Sequence, residues 1–233
     1  MVSTDTIQAR STRELIQAIT ILERLGIIDF NGHFSVRLPD GNILINSGNS
    51  IRCALGTDDF VVVNTEGHGA EGAPAPPAEL PLHLAIYQSR PDVQAVVHGH
   101  PEWSTLLSSA GRDYQVTMPQ GALLGNVPVF ASPMSVNNSR IAAAVASKLG
   151  TGRAALLRAP GVVVAGKDVL ETAVMAIYLE LNAERQVRTA MFGEPYVFSA
   201  EESNSLRASL EKRGLFEKCW NYYLTKFGLV KSA

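Results

Sequence analysis

PPAELPLHLAIYQSRPDVQAVVHGHP, residues 76–101, carries a loop end, a helix and a strand in one short run. The strand is VQAVVHGH at 93–100, strongly apolar, and Pro101 stops it because proline cannot continue a ladder. Arg90-Pro91 ends the preceding helix, expected over 78–89. Side chains two apart on a strand share a face. His98 and His100 are therefore expected to point the same way, with Gly99 facing the other side. The Ala-Val-Val stretch before them reads as buried. Two imidazoles at the end of such a strand either converge on a divalent metal or form a hydrogen-bonded core pair. Glu79 opens the helix. A carboxylate there reads as a cap held by free N–H groups, or as a general acid/base or further metal ligand beside the histidines. His83 follows four residues later and shares the Glu79 face. It comes near a metal, orients Glu79, or packs against the sheet.

Outward from this run, residues 11–25 have apolar side chains at helical spacing, and Gly26 is a C-cap candidate. Strands are expected at 33–39 and 42–47 around an Asp40-Gly41 turn, and at 58–64. GHGAEGAPAPP, 67–77, is too rich in Gly and Pro for regular structure. Helices follow at 102–110 and 138–149, a strand at 152–158, and GVVVAG at 161–166 as its hairpin partner. Residues 168–192 form the longest helical pattern. The last 35 residues read as helical, with aromatic surface from WNYY at 220–223. The order fits an antiparallel-rich sheet between helices better than βαβ alternation. One domain over 1–233 is expected, with a helical C-terminal segment from about 200.

The charge balance excludes some partners. Twenty Lys and Arg face 22 Asp and Glu, for a net charge of −2, and the basic residues are scattered. That gives no electrostatic case for nucleic acid or an anionic membrane. No stretch reaches the roughly 18 apolar residues of a membrane helix. Cys53 and Cys219 fit no metal or redox spacing and read as reduced thiols in a cytoplasmic protein.

Four stretches together resemble the class II aldolase and adducin-head family: NGHFSVRLPDGNILI (31–45), GTDDFVVVNTEG (56–67), the 76–101 run, and LLRAPGVVVAGKDVLETAVMAIYLELNAERQ (156–186). The resemblance implies a single α/β/α layered domain with a central, mainly antiparallel sheet. It implies a homotetramer with active sites at subunit interfaces and a small-molecule substrate. It also implies a divalent metal, usually zinc, held by three histidines. Two of these match His98 and His100, and the acid/base glutamate matches Glu79. In such a site the metal acts as a Lewis acid while a carbon–carbon bond breaks or forms.

The sequence departs from that pattern twice. The family's third histidine falls in Ala159-Pro160-Gly161, where Pro160 has no donor, and no histidine lies beyond residue 100. Three arrangements remain open. Glu79 completes a two-histidine, one-carboxylate set, which also suits iron. His33 or His68, both expected on loops, swings in. Or the metal is lost and His98 and His100 serve acid/base or substrate binding. The second departure is in the phosphate contacts that the resemblance implies. They fall at Gly32-His33, Ser47-Gly48 and Pro77-Ala78. Proline lacks the N–H and alanine the hydroxyl, so a sugar phosphate fits poorly. Substrate contacts are expected from His33, Ser47 and Gly48. The Gly-His form at 32–33 looks like the family's decarboxylase and natural-product branch, which handles aromatic or keto acids. Arg37 reads as a structural ion pair or as the partner of a substrate carboxylate, and His68 as an exposed loop residue.

The expected function is a lyase of aldolase or decarboxylase type on a non-phosphorylated small keto, hydroxy or aromatic acid. Zinc is the expected metal, with iron or manganese as alternatives. Two other enzymatic readings stand beside it: a non-haem iron oxygenase, and a metal-independent cyclase or isomerase on the same fold. A purely structural module needs none of Glu79, His98 and His100.

Overall fold

The computed structural model describes residues 4–230. Residues 1–3 and 231–233, the two ends of the expected domain span, lie outside the described residues. Seven strands form one sheet: β1 (His33–Arg37), β2 (Ile43–Asn46), β3 (Phe60–Val63), β4 (Ala95–Gly99), β5 (Val129–Phe130), β6 (Ala154–Leu157) and β7 (Gly161–Gly166). Their spatial order is β3-β2-β1-β4-β7-β6-β5. All pairings are antiparallel except β5 with β6. The helices are α1 (Thr4–Arg24), α2 (Leu80–Ser89), α3 (Glu102–Ser109), α4 (Ser139–Leu149), α5 (Val169–Ala190), α6 (Ala200–Leu210) and α7 (Arg213–Lys226).

The two faces of the sheet bury different sets. Phe34, Val36, Leu44, Ala95, Val97, Val162 and Val164 face α1, α5 and α7 in one core. Ile43, Ile45, Val61, Val96, Val163 and Ala165 pack under α2 and α4 in the other. The α/β/α layering and the mainly antiparallel sheet are as the sequence implies. Burial on both faces explains why β4 and β7 read as continuous apolar runs. Each such valine contributes about 1.5–3 kcal/mol on burial.

Several boundaries shift. α1 begins at Thr4, seven residues before the expected start, through a polar TDTIQAR turn. β3 begins at Phe60, after a short 3-10 turn over Thr57–Asp59. β4 stops at Gly99, so His100 lies one residue past the strand. The C-terminal helical segment divides into α6 and α7. Trp220 of WNYY is buried in the α1–α5–α7 core, while Tyr222 is exposed. No helix among the described residues is long and apolar enough to cross a membrane.

Candidate metal centre and cleft

The site forms where β1, β4 and the start of α2 meet on the α2 face. In the β1–β4 register His33 stands directly opposite His98, and the two rings stack with centroids 5.0 Å apart. His33 is thus the first residue of a strand, not a loop residue as expected, and its side chain is 2% exposed. Ser35 lies two residues on and faces the same way. On α2, Glu79, His83 and Tyr87 recur every four residues and form a stripe against these strands. The period of two on β1 and the period of four on α2 run side by side and interlock.

The interlock is a hydrogen-bonded chain. Tyr87 Oη lies 2.8 Å from Ser35 Oγ, which lies 2.6 Å from His83 Nδ1. His83 Nε2 lies 2.7 Å from His33 Nδ1, and His33 Nε2 lies 3.4 Å from Glu79 Oε2. His83 therefore orients His33 rather than Glu79. Burial pushes both imidazoles below the ordinary histidine range, His83 furthest. Burial likewise pushes the Tyr87 hydroxyl well above its ordinary value. Tyr87, His83 and His33 are therefore uncharged near pH 7.

Glu79 sits at the N-cap position of α2 but makes no side-chain cap bond. Its Oε1 instead accepts from Ser135 Oγ at 2.7 Å and from the Val136 N–H at 2.8 Å. Oε2 is left facing His33 and lies 3.2 Å from His98 Nε2. Burial would raise the carboxyl. The bond from His33, the nearby His98 and the two donors at 135–136 outweigh it and hold the group far below the usual carboxylate range.

On the other side, His98 Nδ1 lies 2.9 Å from the Val162 carbonyl, which can only accept. The Nδ1 atom therefore carries the hydrogen, and Nε2 of the neutral ring is a lone pair. Burial lowers this imidazole to about 3, so the ring is neutral. His100 Nδ1 lies 2.9 Å from Asp29 Oδ1, which gives its Nε2 the same role. The two Nε2 atoms are 3.1 Å apart. Burial pushes the Asp29 carboxyl up, but the His100 bond and the N–H groups of Asn31 and Gly32 prevail and hold it low. His98 Nε2 thus has two neighbours, His100 Nε2 at 3.1 Å and Glu79 Oε2 at 3.2 Å. The ligand atoms that all lie close to one another are those of His33, Glu79 and His98, so the structure does not gather His100 into the same three-atom group. Such a cluster calls for a cation between its members. Imidazole nitrogens with one carboxylate suit zinc, iron or manganese. Single ligand atoms of His33, Glu79 and His98 lie within 4.8 Å of one another and can hold a metal ion. The residues present fit the metal that the resemblance implies.

The cluster opens on a cleft of about 610 Å³ lined by His33, Arg52, Glu79, His100, Ser135 and Pro160, among others. Gly99 is required behind it, since a Cβ there would sit 2.2 Å from the Ile27 carbonyl oxygen. Ala159, beside Pro160, has a φ of 73°, a strained value for a residue with a Cβ. Gly48 lines the cleft, yet its N–H is taken by the Ala75 carbonyl at 2.9 Å. Ser47 is buried beneath, and its carbonyl accepts from Arg52. His68 is exposed beside Glu66, outside the cleft. Arg37 Nη2 donates to the Tyr87 and Arg90 carbonyls and the guanidinium lies over the Tyr87 ring, so it is structural without being an ion pair. Sequence reasoning missed Arg52, Ser135 and Asp29. Only the i, i+4, i+8 stripe on α2 gave a usable signal, and it pointed to Tyr87.

Comparison with known proteins places these residues in context. Residues 13–187 match the Class II Aldolase and Adducin N-terminal domain. A 3,4-dihydroxyphthalate decarboxylase of Terrabacter sp. is 31% identical over 196 residues, 78% of this chain and 82% of the relative. A 5-methylthioribulose-1-phosphate/5-deoxyribulose-1-phosphate aldolase of Rhodospirillum rubrum is 32% identical over 177 residues, 73% and 77% of the two chains. The solved L-fuculose 1-phosphate aldolase from Glaciozyma antarctica PI12 superposes with a TM-score of 0.84 over 97% of this chain and 91% of that one. At 22% identity that likeness speaks to the fold alone.

Proposed function

The chain belongs to the class II aldolase and adducin N-terminal domain family, and from that premise we propose that it is a metal-dependent lyase that decarboxylates a non-phosphorylated aromatic acid. The observation that carries the reading is the grouping of single ligand atoms of His33, Glu79 and His98 within 4.8 Å of one another, with His100 Nε2 3.1 Å from His98 Nε2. The decarboxylase relatives support the substrate class, and so does the cleft wall. Pro76 and Pro77 offer no N–H, and that of Gly48 is engaged, so the backbone at 48 and 76–77 gives a phosphate no donor.

His98 and His100 would hold the ion, with Glu79 or His33 completing the set. When bound, a divalent ion supplies Lewis acidity to the substrate oxygen on which charge develops. Asp29 and the Val162 carbonyl hold the two imidazoles in the tautomers that leave Nε2 free. Ser135 and Val136 fix one Glu79 oxygen and leave the other beside His33 and His98. Glu79 takes the proton of a substrate hydroxyl and returns it to the carbon that loses carbon dioxide. The broken bond leaves its electron pair on that carbon, and the oxygen regains a proton from solvent. The buried imidazoles around Glu79 keep water from competing for that proton.

The test is carbon dioxide release from hydroxylated aromatic acids by protein of known metal content. Release that stops with a chelator and returns with zinc, iron or manganese supports the reading. Full activity in metal-free protein would eliminate it. A second reading rests on His33, Glu79 and His98, a two-histidine, one-carboxylate set that also serves oxygen chemistry at ferrous iron. Oxygen consumption with the same acids separates the two.

A further inference from the structure

Arg52 is 3% exposed, and its cation has no carboxylate within ion-pair distance among the described residues. Its Nε donates to the Gly32 carbonyl at 2.6 Å. Its Nη1 donates to the Ser47 carbonyl at 3.1 Å, to the Ser50 carbonyl and to Ser50 Oγ. Asp29 and Asp59 act on it from further away, while burial works against the charge. Nη2 makes no hydrogen bond among the described residues, yet it is not one of the sealed, unsatisfied atoms of the interior. The residue lines the cleft with His33, Glu79 and His100. A guanidinium clamped on two of its nitrogens, with the third open to a cleft, is a preorganised half of an ion pair. A buried charge without its partner is costly.

We infer that Arg52 anchors the carboxylate that an anionic aromatic substrate keeps, setting the reacting end against Glu79, His98 and His100. Asn31 and Asn49 line the same cleft. The geometry favours a carboxylate over a phosphate. A carboxylate meets the free Nη2 through a charge-assisted hydrogen bond. A dianion with three oxygens would face Pro76, Pro77 and an engaged Gly48 N–H. The inference rests on the lyase reading for the reacting end, but the anchor itself is tested by binding alone.

Calorimetry on the metal-loaded protein with benzoate, benzamide and inorganic phosphate provides the test. Benzoate is expected to bind about 10- to 100-fold more tightly than benzamide, the range for hydrogen bonds to a charged group. Phosphate is expected to be the weaker anion. Arg52→Met is expected to abolish the benzoate preference with unchanged metal content, and Arg52→Lys to restore part of it. Equal binding of benzoate and benzamide by the unaltered protein overturns the inference whether or not a variant folds. Phosphate bound more tightly than benzoate, or a folded Arg52→Met that binds benzoate undiminished, overturns it too. Loss of benzoate binding in Arg52→Met with no carbon dioxide release from any aromatic acid refutes the lyase reading and leaves the anchor standing. Carbon dioxide release whose KM ignores Arg52 refutes the anchor and leaves the lyase.

Discussion

The inner half of the site and its outer half are built from different material. His33, Ser35, His83, Tyr87 and His98 stand on β1, α2 and β4, all buried; side-chain hydrogen bonds join the first four, and the His98 ring stacks on His33. His100, Asp29, Arg52, Ser135 and Pro160 stand on strand ends and turns around an open cleft. The inner half holds neutral rings in fixed tautomers. The outer half carries the charges, a carboxylate at Asp29 and a guanidinium at Arg52. Metal affinity is therefore expected to draw on both halves, through His98 in the interior and His100 at the rim, and substrate choice on the rim.

The largest expected effect tests the point where the halves touch. Glu79→Gln keeps the shape and the Ser135 bond but removes the base, and turnover should fall about 10²- to 10⁴-fold. A carbon dioxide assay with a melting curve checks it, and retained turnover would move the proton step to another residue. Next comes metal affinity, read by chelator competition with cobalt or zinc. His83→Phe breaks the support of His33, and the loss expected of an outer partner is about 10- to 100-fold. His33→Ala should cost at least as much. If His100→Ala abolishes binding while both of these leave it unchanged, the inner half is only a wall.

A smaller, graded effect is expected with pH in the metal-free protein. His33, His83 and His98 lie below the ordinary histidine value when folded, His98 at about 3. The unfolded chain takes up those protons near pH 6.5 and the folded chain does not. Stability should fall as pH drops from 6.5 toward 3. Glu79 and Asp29 are lowered carboxylates, so their contribution is lost in the same direction, below the ordinary carboxylate range. A urea midpoint that stays flat between pH 6.5 and 4 would mean that the folded core accepts the protons. The smallest effect belongs to the rim. Ala159→Gly relieves a left-handed alanine at about 1–2 kcal/mol, partly offset by glycine's freedom when unfolded. A net gain below about 1 kcal/mol is expected in the melting curve.

The two halves also differ in how far they could be read from the chain. The antiparallel-rich sheet between helices, the β6–β7 hairpin and the His98–His100 pair follow from period and punctuation, and the α/β/α layering from the family resemblance. Local pattern carries no register, so nothing in it places His33 opposite His98, 65 positions away. Glu79 reads equally as a cap until the 131–138 loop is seen to supply its donors. That loop has no period, and only tertiary packing of α4 against α2 brings Ser135 over the carboxylate. Arg52 looks like any surface arginine, because its meaning lies in three backbone carbonyls that fold around it.

The His33–His98 register has a consequence for assembly. The donor atoms come from segments that begin at residues 33, 79 and 98, and they meet only when β1 closes on β4 across a long loop. Closing such a loop is slow, because its entropy is lost before its contacts form. An ion that needed all three segments would find no matching site on the open chain and would join last, on the finished sheet. Metal should then raise the unfolding midpoint with the logarithm of its concentration and slow unfolding more than it speeds folding.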